Sequence, residues 1–122
     1  MKHASDIVLF HRHQPTVHDE FTTAPEKRLS GEGVQTVDNF YSDETSQFHA
    51  GLWSGGIGAW TVRYTEHEFC TLLEGRVRVT DRDGQSVELK AGDHFVIPAG
   101  FEGVWEVLEP AKKTYAIFEA SR

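Results

Sequence analysis

From about Gln47 onward the chain alternates. Phe48, Ala50 and Leu52 alternate with Gln47, His49 and Gly51, and Trp60, Val62 and Tyr64 alternate with Thr61, Arg63 and Thr65. A period of two belongs to strands that bury one face. Reversal signals recur about every eight to twelve residues, as they do in all-β sandwiches and barrels. They fall at Ser54-Gly55-Gly56, Glu74-Gly75, Asp81 to Gly84, Ala91-Gly92-Asp93, Pro98-Ala99-Gly100 and Glu109-Pro110. The strongest is Asp83-Gly84, set between Val77-Arg78-Val79 and Val87-Glu88-Leu89, which predicts a hairpin. Roughly six to eight short strands result, with no helical stripe to compete, and the pattern predicts an all-β sandwich or barrel.

Residues 1–46 read differently. His, Thr, Pro and charged residues mix without a sustained period, and Pro15, Pro25, Gly31 and Gly33 interrupt them. Long helices are improbable there. The stretch is predicted to be an N-terminal arm with one or two short strands, one of them at Asp6 to Phe10, laid over a barrel formed by residues 47–122. The whole makes one domain.

The chain has 122 residues, a length that buries a core without staples. Lys and Arg number 12 against 19 Asp and Glu, a net charge of −7. Such a surface repels a phosphate backbone, so no nucleic-acid partner is expected. No window approaches the roughly 18 apolar residues of a membrane helix, so no membrane partner is expected. Cys70 is the single cysteine, which rules out an intrachain disulfide and a cysteine-rich zinc site. The opening residues Met1 to Asp6 do not read as a signal peptide, and a cytoplasmic location is the expectation.

Two stretches carry a more specific pattern. Glu68 and Gly75 have the spacing of the second half of the first cupin motif, and Gly92, Pro98 and Gly100 match the second motif in register. The chain from about Gly51 to Phe118 resembles the small cupins related to (S)-ureidoglycine aminohydrolases. Trp60, the run Glu68 to Cys70, Pro98 to Phe101, Trp105 to Val107, Lys113 and Tyr115 carry that likeness. The resemblance implies a double-stranded β-helix, the RmlC-like jelly-roll barrel closed around a pocket.

Metal-binding cupins place a His-x-His pair before the Glu and a further His after the second motif. Here the pair falls on Val62 and Tyr64, or on Thr61 and Arg63, and the last His falls on Gly103. Only Glu68 survives. The aminohydrolases carry a His at the position of Glu68, so this chain departs from their ligand set as well. A recruited His49 brings the donors to two, and transition-metal sites need three or four. No cofactor is expected, with at most a weakly held divalent metal on His49 and Glu68. His11, His13 and His18 read as a solvated basic stretch, and His67 points away from Glu68 by strand parity.

The register that the resemblance implies turns Trp60, Val62 and Tyr64 inward, together with Glu68 and Cys70. Gly103, Trp105 and Tyr115 are expected to complete the pocket wall. Two readings of Glu68 stand open. As a desolvated carboxylate it serves as a general base, with Tyr64 as its companion. Paired with Arg63, Arg76 or Lys113 near the barrel mouth, it organises packing.

Three functions follow: a barrel binding a small polar metabolite without a complete metal site, a small-metabolite hydrolase or isomerase of the aminohydrolase type, or a dimerisation module. A homodimer with the arm packed on its neighbour is expected in each case.

Overall fold

The computed structural model describes residues 1–121 and contains nine strands. They are β1 (Val17–Thr22), β2 (Arg28–Gly31), β3 (Val34–Ser42), β4 (Phe48–Gly55), β5 (Gly58–Arg63), β6 (His67–Asp81), β7 (Ser86–Lys90), β8 (His94–Ile97) and β9 (Glu102–Phe118). All pairings are antiparallel. Helical structure among the described residues is confined to two short 3-10 turns, Ala4–Asp6 and Pro25–Lys27.

Two long strands build the barrel. The first half of β6 and the last half of β9 pair with each other, with β8 on one side and β4, β3 and β1 on the other. The second half of β6 and the first half of β9 pair again, now flanked by β7 and by β5 and β2. The result is a jelly roll of two layers that share β6 and β9, with the core of Trp53, Trp60, Leu72, Val77, Trp105 and Val107 between them.

Both long strands bend at the same place. Glu74-Gly75 and Glu109-Pro110 were expected to reverse the chain, but they face each other inside β6 and β9, where the pairing register shifts. Gly75 has φ +86°, and a Cβ there would lie 2.2 Å from the Pro110 carbonyl oxygen. Glycine permits both the left-handed backbone and the close approach. Gly and Pro mark a bulged bend as readily as a turn, which is why four expected strands merge into two. The Asp83-Gly84 hairpin forms as expected, with Val77 opposite Leu89 and Val79 opposite Val87.

The arm is more ordered than its sequence suggests. It holds three strands rather than one or two, and the strand expected at Asp6 to Phe10 is a turn instead. The Leu9 amide donates to His13 Nδ1 at 2.8 Å, closing that turn. Phe10 is thereby brought onto Phe40 of β3, with ring centroids 4.5 Å apart.

On β4 the apolar set Phe48, Ala50 and Leu52 does not make the buried face. Gly51, Trp53 and Gly55 do. A Cβ at Gly55 would meet the Trp53 ring at 2.5 Å, and one at Gly51 would meet the Tyr115 hydroxyl at 2.6 Å. Large rings fill the inner face over glycines, leaving the apolar alternation of Phe48, Ala50 and Leu52 outside.

Candidate functional site

A cavity of about 370 Å³ opens at the edge of the barrel marked by β1 and β2. The connection between those strands, Thr22 to Lys27, crosses from one layer to the other and forms part of the wall. Trp53 from β4, Trp60 from β5 and Trp105 from β9 line it, so every tryptophan of the chain faces this space.

An ion pair lies at its inner end. Lys113 Nζ is 3.1 Å from Glu68 Oε2, and the two side chains are only 5% and 10% exposed. The ammonium also lies 4.4 Å from the Trp105 ring centroid and 5.2 Å from that of Trp53. Indole faces attract a cation through their quadrupole, more strongly where water is excluded. Lys113 is thus held between two aromatic rings and one carboxylate.

The Trp53 ring is itself fixed. Its Nε1 donates to Gln35 Oε1 at 2.9 Å, Gln35 Nε2 donates to Thr23 Oγ1 at 2.7 Å, and Thr23 Oγ1 donates to the Gly33 carbonyl at 3.0 Å. This relay ties the crossing segment to the sheet and orients the ring against Lys113. Among the described residues the buried polar ones are Thr23, Glu68 and Lys113, and all three line the same cavity. By contrast, Trp105 Nε1 is buried and has no hydrogen-bond partner among the described residues.

Most of the expected pocket residues meet here. Trp60, Val62, Tyr64, Glu68 and Trp105 line the cavity. Burial first, then the charge of Glu68, pushes the Tyr64 hydroxyl well above its ordinary range. A neutral phenol beside a carboxylate is a hydrogen-bond donor. Cys70 and Tyr115 are buried behind the lining: burial pushes the Cys70 thiol up to about 12, which leaves it an inert core group. The Tyr115 hydroxyl donates to Asn39 Oδ1 at 2.7 Å, joining β9 to β3 across Gly51.

Gly103 is no part of the wall. A Cβ there would lie 2.0 Å from the Thr80 carbonyl oxygen, so this backbone has no room for any side chain, an imidazole included.

The remaining expectations separate. His49 hydrogen-bonds with Ser42 at 2.6 Å and lies outside the cavity lining. His67 is exposed and accepts the Ala99 amide at 3.1 Å, as strand parity predicted. Of the two readings of Glu68, the structure shows the ion pair, with Lys113 as its partner; Arg76 pairs with Glu88 and Glu109 instead. Trp53, Gln35 and Thr23 were not foreseen. Thr23 and Gln35 lie in the aperiodic arm, where no local signal was available, whereas Lys113 at the inward parity of Ala111 and Tyr115 is a cation in an apolar register.

Metal-binding members of this barrel class hold an ion on three His and a Glu. Among the described residues no three His, Cys, Asp or Glu side chains come together, and the Glu68 carboxylate already faces an ammonium. The donor set does not fit that metal.

A second, smaller cleft of about 200 Å³ lies at the opposite edge, between Val79, Val87, Leu89, Phe95, Ile97 and Phe101. Its walls carry no charged side chain. Tyr64 and Phe101, with ring centroids 6.3 Å apart, stand between the two clefts.

The two-layer jelly roll, with a cavity opening at its edge, defines a cupin barrel. The chain belongs to the EutQ-like cupin domain family, whose model matches residues 42–115. A DUF861 family protein of unknown function from Pseudomonas syringae pv. tomato superposes with a TM-score of 0.74 at 22% identity, over 84% of this chain and 44% of that one. This chain thus spans less than half of that protein's length. EutQ of Clostridium difficile gives 0.66 at 18% identity over 84% of this chain and 83% of that one. A DUF861 protein from Thermotoga maritima is 36% identical, with a TM-score of 0.51, over 52% of this chain and 73% of that one. No curated protein matches the chain. No helix among the described residues is long and apolar enough to cross a membrane.

Proposed function

We propose that the barrel binds a small polar metabolite in the tryptophan-lined cavity, anchored on the Lys113–Glu68 pair in place of a metal. One observation carries this reading: the buried polar residues Thr23, Glu68 and Lys113 all converge on one cavity. A buried ion pair is weak support for stability, since well-packed apolar residues often serve the fold as well or better. Its placement at a cavity of ligand size points to recognition.

Because all three tryptophans line the space, their emission reports its occupancy without a label. Titration of the full chain with a panel of small polar metabolites is expected to quench or shift that emission for at least one compound, with a matching rise in melting temperature. A panel that moves neither signal overturns the proposal. Native mass spectrometry of protein purified without chelator checks the metal-free anchor. The expected result is sub-stoichiometric metal and a melting temperature unchanged by EDTA.

A catalytic role has one observation in its favour. Tyr64 and Glu68 line the same cavity, and the charge of Glu68 helps hold the Tyr64 hydroxyl protonated, a pairing suited to proton transfer in a hydrolase or isomerase. Turnover of a bound compound that is lost in both Glu68→Gln and Tyr64→Phe would establish it; binding without turnover would remove it.

A further inference from the structure

The hydrogen-bonding inventory of the cavity is unbalanced. An ammonium has three N–H donors and an indole has one. The Lys113 ammonium has one carboxylate partner, Glu68, and otherwise lies against the faces of two rings. Trp105 is 2% exposed, lines the same cavity, and its N–H has no acceptor among the described residues. Tyr64 lines the same cavity as Glu68. One buried donor at the cavity, Trp105 Nε1, therefore stands unmatched among the described residues, and such donors are rare in native proteins. A hydrogen-bond acceptor is the group that matches it.

The charges point the same way. Lys27, Arg63 and Lys113 line the cavity against Glu66 and Glu68, an excess of one positive charge in a chain of net charge −7. Neither Lys27 nor Arg63 forms an ion pair among the described residues. Glu68 already balances Lys113, so one further negative charge suits the site and two do not. A phosphate is disfavoured for that reason. Among the described residues the only helical turn at the cavity is the three-residue Pro25–Lys27, too short to offer an anion site of its own. Three indoles around about 370 Å³ favour a flat body with a delocalised face.

Resting on the reading of the cavity as a ligand site, we propose that its ligand class is the planar monocarboxylates. The carboxylate meets the Lys113 ammonium and the Trp105 N–H, and the flat body lies among the indoles. The acid, not the amine or amide, is what this cavity selects.

Three probes of one shape and different charge test it: benzoate, benzamide and benzamidine, titrated into the full chain at neutral pH and constant ionic strength, read by tryptophan emission and by calorimetry. Benzoate is expected to bind at least tenfold tighter than benzamide, with benzamidine weakest. Trp105→Phe keeps an aromatic face but removes the N–H, and is expected to weaken benzoate several-fold and benzamide less, because the charged acceptor makes the stronger bond. The neutralised pair Glu68→Gln with Lys113→Met leaves no lone buried charge and is expected to abolish the preference for benzoate, with circular dichroism confirming the fold.

Equal affinity for benzoate and benzamide would overturn the carboxylate assignment and leave the cavity a ligand site. Tightest binding of benzamidine would overturn it in favour of a cation site. If none of the three binds while other metabolites of the panel do, the assignment falls alone. If nothing in the panel binds, the ligand-site reading falls with it.

Discussion

The two clefts lie at opposite edges of the same pair of layers, yet they hold different chemistry. The one beside β7 and β8 is walled by Val79, Leu89, Phe95, Ile97 and Phe101, as burial of apolar surface alone dictates. The one beside β1 and β2 holds a buried lysine, a buried glutamate and a buried threonine among three tryptophans. Folding asks only for the first. The second departs from what packing favours, and such departures concentrate at functional sites. The crossing segment adds to the difference in polarity. Thr23 on that segment and Gln35 on β3 supply a relay of hydrogen bonds that the other edge lacks.

The strongest way to break the contrast is to separate the buried ions. Lys113→Met leaves Glu68 charged and unpaired, and Glu68→Gln does the same to Lys113. Either is expected to cost about 3–5 kcal/mol in urea denaturation, whereas replacing both by apolar residues of similar volume recovers most of the loss. A double variant as unstable as the singles would show that the pair is structural rather than retained for a ligand.

At the other edge, Leu89→Ala is expected to cost about 2–4 kcal/mol through the space it opens, leaving tryptophan emission unmoved. A shift in emission would couple the two clefts, with the Tyr64–Phe101 contact as the route. Gln35→Leu removes the acceptor of Trp53 Nε1 and the donor to Thr23 Oγ1. It is expected to cost about 1–3 kcal/mol and to move the emission, because Trp53 Nε1 loses its acceptor while Thr23 Oγ1 keeps only its bond to the Gly33 carbonyl.

The smallest effect belongs to the exposed edge of β1. A hydrogen bond to Asp38 raises the His18 imidazole above its ordinary 6.5, with further help from Glu20 and Asp19. A raised folded value means that the contribution of this pair is fully present below pH 6.5 and is lost as the pH rises through the raised value. NMR titration is expected to show that raised midpoint, and Asp38→Asn to bring it down, with no change at either cleft.

Local alternation carried much of this. Period two placed the strands, and parity within a strand put Trp60 with Val62 and Glu68 with Cys70 and Leu72, because successive side chains alternate faces. Asp83-Gly84 announced its hairpin because few residues tolerate that turn. Alternation says which residues share a face but not which face is inside. On β4 the apolar Phe48, Ala50 and Leu52 lie outward, since the rings of Trp53 and Tyr115 need the glycines beneath them. Gly75 and Pro110 marked a place where the chain changes direction, but only the pairing of β6 with β9 decided between a turn and a bend. The site depended most on tertiary structure. Lys113 reaches Glu68 because β9 and β6 are adjacent in that layer, and Trp53 is oriented by Gln35 and Thr23 from strands and a connection far away in the chain. Ion pairing and cation–π contact depend on distance in space, which no short window of sequence encodes.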